Sequence, residues 1–244
     1  MEVGKPPLSA WRVVAFNIGV MDLYDLFDGS ANIRHYERAP FMPRQCELLA
    51  FHDYDKYTVT HLLFEGRNTF VFIIKDRVVV EAAPHGTFAH HISKGAALTF
   101  SVGGLTYCAD SKLYQVPGAE KQSFVGFDSN GVLRLVPDGG LAAVDAGVVY
   151  GAEASPFLVV NGKRLKITDE AKRSRDRLLL GQLLTGEPVF IYIKGVDVAR
   201  AADYALQLGC QSAAVIGNER RIDIYSKSIA QDRQSGCRAV FTVY

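Results

Sequence analysis

The hydrophobic pattern changes character near residue 45. Beyond it, short apolar or alternating runs recur between turn residues. Val59–Phe64, Thr69–Ile74, Ser123–Phe127, Val132–Val136, Val148–Tyr150, Phe157–Val160, Leu178–Leu180, Pro188–Ile193, Ser212–Ile216, Arg221–Tyr225 and Ala239–Tyr244 read as strands. Asp128-Ser129-Asn130-Gly131 separates two of them and carries the Asn-Gly pair that favours a tight hairpin. Asn161-Gly162 turns into Lys163–Ile167, and Thr185-Gly186-Glu187 joins another pair. Lys75-Asp76, between Phe70–Ile74 and Val78–Val80, predicts a further hairpin. Ala96–Phe100 opens a strand that Gly103-Gly104 interrupts, and Gly139-Gly140 reads as a turn. Helical spacing is clearest over Asp197–Leu208. Asp197 caps it, Val198, Ala201, Ala202, Ala205 and Leu208 form one apolar stripe, and Gly209 ends it. A shorter helix is predicted over Thr87–Lys94, with Gly95 after it. The pattern implies an α+β domain with a mixed, mainly antiparallel sheet and few helices.

Residues 1–43 differ. After KPPLSAW comes an apolar run, read as a strand near Trp11–Val20, and then a polar and aromatic stretch closed by two prolines. This divides the chain into an N-terminal arm or interface segment, 1–43, and a domain, 44–244. Trp11, Tyr24, Phe27, Tyr36, Arg38 and Phe41 are its candidate interface anchors, because aromatic and arginine side chains in an irregular segment suit a contact surface. The arm predicts a homo-oligomer or docking onto other subunits of an assembly.

The 244 residues are 48% hydrophobic and 22% charged, enough apolar material for a sizeable core. A net charge of +1 gives no electrostatic basis for binding nucleic acid. The basic runs Lys163–Lys166 and Lys172–Arg177 are read as solvated loops. Cys46, Cys108, Cys210 and Cys237 are far apart and contain no C-x-x-C pair, so neither a zinc site nor a disulfide-stapled fold is expected. His52 with Asp53 and Asp55, and His85 with His90 and His91, lack the spacing that places metal ligands on one face. No metal and no cofactor are expected. The opening MEVGKPPLSAW has no apolar signal core, and no run of the chain approaches a membrane span. A soluble protein made in the cytoplasm is expected.

Five segments carry a resemblance. Ala96–Tyr107 reads AALTFSVGGLTY, Phe124–Leu135 FVGFDSNGVLRL, Ser155–Leu165 SPFLVVNGKRL, Arg177–Gly181 RLLLG and Leu208–Ile216 LGCQSAAVI. In this order they resemble the phosphodiester glycosidase family. Its pattern runs A-x-N-G-G-F-F, a G-x-x-x-x-G strand pair, P-x-L-V-x-x-G-K, R-T-A-x-G and L-G-x-x-x-A-x-x-L-D-G-G-G-S. The resemblance covers about residues 60–230. It implies that Arg177 and the Gly103-Gly104 bend border one cleft, in which an arginine would neutralise a sugar phosphodiester and carboxylate or amide groups would orient sugar and water.

The polar positions of the pattern are mostly changed. The asparagine before the paired glycines is Val102, or Ser101 after a one-residue slip. The threonine after the arginine is Leu178, and the aspartate of the last motif is Gly217. Asn218 or Glu219 replaces the lost polarity only in a shifted register. The resemblance thus implies Arg177 and Glu219 as candidate catalytic residues and Gly103, Gly104 and Asn218 as candidate ligand-binding residues, with a carbohydrate phosphate as ligand. Because the polar groups are missing, a non-catalytic structural or docking role is expected. A bacteriophage virion or tail is one such setting. The alternatives are an active hydrolase of a sugar phosphodiester and a carbohydrate- or nucleotide-binding module.

Overall fold

A computed structural model describes residues 46–75, 80–84, 88–102, 106–115, 123–137, 139–166, 173–217, 222, 224–226, 230–231 and 239–244. In chain order its strands are β1 (Cys46–Asp53), β2 (Tyr57–Phe64), β3 (Arg67–Ile74), β4 (Val80–Pro84), β5 (Leu98–Val102), β6 (Thr106–Ala109), β7 (Lys112–Gln115), β8 (Phe124–Asp128) and β9 (Leu133–Val136), then β10 (Val148–Glu153), β11 (Phe157–Val160), β12 (Lys163–Arg164), β13 (Arg175–Leu183), β14 (Pro188–Val196), β15 (Cys210–Gly217), β16 (Ile224–Ser226), β17 (Ala230–Gln231) and β18 (Ala239–Val243). The helices are α1 (Phe88–Ser93), α2 (Gly140–Asp145) and α3 (Val198–Gln207). The arm residues Trp11, Tyr24, Phe27, Tyr36, Arg38 and Phe41 lie outside the described residues, as does the strand expected near Trp11–Val20.

Three sheets form. The long sheet has the order β1-β2-β3-β14-β13-β15-β11-β12. A middle sheet runs β7-β6-β10-β8-β9, and a third runs β17-β16-β5-β18-β4. The described pairings are antiparallel, so the structure is the mainly antiparallel α+β fold that the pattern predicts. The Asp128–Gly131 hairpin forms as expected, with the Asp128 carboxylate accepting from the backbone of Asn130 and Val132 at 2.8 and 3.0 Å. Two expectations are corrected. β3 ends at Ile74 and pairs with β2 and β14, while β4 joins the third sheet beside β18. The chain therefore passes from the long sheet to the third sheet between Ile74 and Val80 and forms no hairpin of β3 with β4, and Asp76 lies outside the described residues. The hairpin lies at Glu65-Gly66 instead, where φ values of +46° and +76° suit a two-residue loop that needs left-handed backbone twice. Gly139-Gly140 leads into α2 rather than a simple turn: Gly139, at φ 100°, is its N-cap.

Strand alternation sends apolar side chains to both faces of the long sheet. One face carries Leu179, Ile191, Ile193, Val71 and Val215 and is covered by α3. The other carries Tyr57, Phe72, Leu178, Leu180, Phe190, Tyr192 and Ile216 and packs on the middle and third sheets. An aromatic chain crosses that second interface. Phe100 lies 4.4 Å from Phe190 and 5.1 Å from Phe72, and Phe241 lies 5.8 Å from Phe190. Each such ring contributes about 1.5–3 kcal/mol by leaving water.

The α3 helix follows its predicted stripe. Asp197 accepts from the Arg200 backbone N–H at 2.8 Å, and Val198, Ala201, Ala202, Ala205 and Leu208 are buried. Tyr204 is buried as well, against Phe64 at 4.5 Å, with its hydroxyl donating to Glu65 at 3.1 Å.

Candidate functional site

Three of the segments matched to the family motifs meet at one end of the long sheet. β13 opens with Arg175-Asp176-Arg177-Leu178, and β15 closes with Gly217 directly opposite Leu178. The register shifts between Leu178 and Leu179, so both Ile216 and Gly217 crowd the leucine. Ile222, just past β15, is 4% exposed and packs into the same spot. A Cβ on Gly217 would stand 3.0 Å from Leu178 Cβ and 3.2 Å from Ile222 Cδ1. The positions aligned with the family threonine and aspartate are therefore side by side, and they are filled by hydrocarbon. β5 arrives at the same end. It pairs Phe100 with Ile224, two residues after Ile222, in antiparallel register. Gly103, Gly104, Asn218 and Glu219 lie outside the described residues.

Arg177 does not share this spot. It pairs with Ile193, and both point toward α3, whereas Leu178 points the other way. Arg177 is only 2% exposed. Its Nε donates to the Val196 carbonyl at 3.3 Å and one terminal nitrogen donates to the Arg173 carbonyl at 2.8 Å. The other terminal nitrogen has no partner among the described residues. Burial and then the charge of Arg175 lower its pKa, opposed by Asp197. Its guanidinium thus secures the entry into α3. The reading of Lys172–Arg177 as a solvated loop is corrected in the same step, since residues 175–177 begin a strand and turn progressively inward. The Lys163–Lys166 run, by contrast, is exposed.

A polar and aromatic row lies beside the plugged position. Across four strands the register aligns His61, Phe70, Tyr192 and Leu178, all on the face turned away from α3. The His61 ring stacks on Phe70 at 4.1 Å, and Phe70 lies 6.1 Å from Tyr192. His61 Nε2 is 2.9 Å from Asn68 Oδ1. The Tyr192 hydroxyl donates to Asp176 Oδ2 at 2.8 Å, and the Gly195 backbone N–H donates to Asp176 Oδ1 at 3.0 Å. Burial first, and then the bond to Asp176 and its charge, raise the Tyr192 pKa above the ordinary tyrosine value. His61, Asn68, Phe70 and Asp176 are half-buried. Half-exposed rings edged by a few convergent polar groups are the composition of a small-molecule site.

These residues escaped the sequence reading for identifiable reasons. Tyr192 sits inside an apolar run, and Asp176 sits inside a basic one. Only the cross-strand register brings them together, and nothing in their local spacing signals it.

Among the described residues no group of three or more His, Cys, Asp or Glu could hold a metal ion. His91 bonds through Nδ1 to the Tyr244 hydroxyl, and His52 stacks with Tyr54. No described helix is long and apolar enough to cross a membrane.

The scaffold glycines shared with the family have a packing reason. A Cβ on Gly181 would lie 2.6 Å from the Ser212 carbonyl oxygen, and one on Gly126 would lie 2.4 Å from that of Tyr150. Both keep neighbouring backbones in close approach.

A family model described as phosphodiester glycosidase matches residues 69–216. No curated protein matches the chain. Among solved structures, the fold resembles the catalytic domain of zebrafish N-acetylglucosamine-1-phosphodiester alpha-N-acetylglucosaminidase in a form auto-inhibited by its pro-peptide. The TM-score is 0.57 at 11% identity, over 82% of this chain and 83% of that one. A hypothetical protein from Synechocystis gives 0.54 at 10% identity, over 84% of this chain and 64% of the other. A Burkholderia pseudomallei protein gives 0.51 at 9% identity, over 76% and 74%. At these identities the likeness is one of fold. The family match spans more than half of the sequence and includes β13 with Leu178 and β15 as far as Ile216, and the chain belongs to the phosphodiester glycosidase family.

Proposed function

We propose that this chain is a member of the phosphodiester glycosidase family without turnover, acting as a docking component of a larger assembly, such as a virion or phage tail. The carrying observation is the hydrocarbon plug at Leu178, Gly217 and Ile222, where the family pattern has a threonine and an aspartate. A single preorganised polar group at the reacting centre is worth about 10²–10³ in rate. Arg177 adds to the argument, because its donors are spent on backbone carbonyls or buried behind the sheet. In this reading the arm of residues 1–43 supplies the docking contacts through Trp11, Tyr24, Phe27, Tyr36, Arg38 and Phe41.

The row His61-Phe70-Tyr192, edged by Asn68 and Asp176, favours a second reading: the chain holds a saccharide, phosphorylated or not, without cleaving it. An aromatic floor accepts the apolar face of a sugar ring, and the amide and carboxylate suit its hydroxyls. Purified chain incubated with N-acetylglucosamine-1-phosphodiester tests both. No product above background is expected. Heat of binding by calorimetry without product, lost in Phe70→Ala, supports the saccharide reading. Steady turnover abolished by Arg177→Ala or Glu219→Ala overturns both and restores the hydrolase.

A further inference from the structure

We propose that β1 is the seam of a two-fold homodimer, in which two copies join their long sheets edge to edge. The six described edge strands are not alike. β12 and β17 have two residues each, β7 and β9 have four and β4 has five. β12 is Lys163-Arg164, β7 carries Lys112, β9 carries Arg134, and β4 ends in Pro84. Short length, basic side chains and proline are the devices that keep an unpaired ladder from recruiting another strand. β1 lacks these three, and its only edge device is a bulge. It is eight residues long, CELLAFHD, with no Lys, Arg or Pro, and its Glu47, Leu49, His52 and Asp53 are exposed. Leu49 is 44% exposed.

Its one irregularity is a bulge between Leu48 and Ala50, and the bulge makes the strand self-complementary. Glu47 pairs with Leu63 and His52 with Val59, both on the face turned away from α3. Leu48 pairs with Leu62 and Phe51 with Thr60, on the α3 face. In an unbroken strand, residues 47 and 52 would point to opposite faces. Here they share one, as do 48 and 51. A two-fold axis perpendicular to the sheet, centred on the bulge, therefore sets Glu47 against His52 of a second copy, and Leu48 against Phe51. Each carboxylate thus faces an imidazole that can donate a hydrogen bond to it, and the leucine and phenylalanine meet twice. A parallel seam would instead set Glu47 beside its own copy. Such a contact is isologous and closed, giving a dimer rather than a fibre.

Sedimentation of the full chain over a wide concentration range tests this, with thermal unfolding as the control for folding. Wild type is expected to dimerise. Glu47→Lys removes the carboxylate acceptor twice across the seam and should weaken association about ten-fold. Adding His52→Glu to that variant should restore it to within about three-fold of wild type, because the two substituted positions then face each other as an ammonium and a carboxylate. Leu49→Lys supplies the missing guard and should also weaken association by at least about ten-fold. A wild-type chain that stays monomeric at all concentrations overturns the proposal. So does a dimer that Glu47→Lys leaves intact, or one whose loss His52→Glu does not repair. The result is independent of whether the family site turns over.

Discussion

Arg177 and Leu178 are consecutive in β13 and serve opposite faces of the same sheet, which differ in what they have kept. On the α3 face the arginine is buried but engaged, with donors to the carbonyls of Val196 and Arg173 and the Asp197 charge nearby. On the other face Leu178, Gly217 and Ile222 meet with no polar group among them. Both spots are dry, yet one spends polarity on architecture and the other has replaced it with packing. A residue that matches a family pattern can thus be retained because the fold needs it. Arg177 closes the end of β14 and the start of α3, whatever happens at the site.

The largest expected effect tests the architectural face. Arg177→Ala removes a buried side chain and its hydrogen bonds to two backbone carbonyls. The loss should be about 3–5 kcal/mol, from the lost contacts and the unmet desolvation together. Urea unfolding followed by circular dichroism measures it. Arg177→Lys should recover little, because an ammonium cannot reproduce the planar fork that reaches both carbonyls. A loss below about 1 kcal/mol in Arg177→Ala would mean that the arginine is not structural, and the contrast between the faces would fail.

The packed face should respond next. Gly217→Asp restores the family residue, but its Cβ would press on Leu178 and Ile222, and its carboxylate would enter a hydrocarbon setting. Overpacking and an unpaired charge together should cost about 2–4 kcal/mol. Ile222→Ala in the same chain removes the nearer flexible obstacle and should return part of that loss. Wild-type stability for Gly217→Asp alone would show that the spot is open, and the plug could no longer explain an absence of turnover.

Much of the fold was legible because local rules agreed with the tertiary outcome. The Asn130-Gly131 hairpin, the Asp197 cap and the α3 stripe depend on neighbours in sequence, and each formed as predicted. The passage from β3 to β4 reads as a hairpin in sequence because two adjacent apolar runs look alike whether they pair with each other or enter different sheets. The pattern of changed motif residues located the plug, since Leu178 and Gly217 stood out against the family. The polar row did not stand out. Asp176 and Tyr192 are sixteen positions apart and bond only because β13 and β14 pair in that register. The face of Arg177 was not legible either, because it follows from a bulge between Arg175 and Arg177 that no spacing encodes.

The smallest effect at neutral pH compares a buried tyrosine on each face. Tyr192 bonds to Asp176 on the packed face and Tyr204 bonds to Glu65 on the α3 face. Burial, followed by the bonded carboxylate, raises both phenols above the ordinary tyrosine value. Removing either hydroxyl with phenylalanine should cost about 1 kcal/mol near pH 7, the net worth of one hydrogen bond. Alkali separates them from other residues. A raised folded pKa means that each tyrosine's contribution is fully present below its unfolded value, near pH 10, and is lost as the pH climbs from there toward the folded value. Each tyrosine then adds a slope of at most about 1.4 kcal/mol per pH unit to the fall in stability. Tyr192→Phe and Tyr204→Phe should each remove one share of that slope, and the double variant both. Denaturant midpoints measured from pH 8 to pH 11 would reveal it. If Tyr192→Phe leaves the alkaline slope unchanged while Tyr204→Phe halves it, then Tyr192 ionises freely, the row around Phe70 is wet, and the two faces differ in solvent access as well as in polarity.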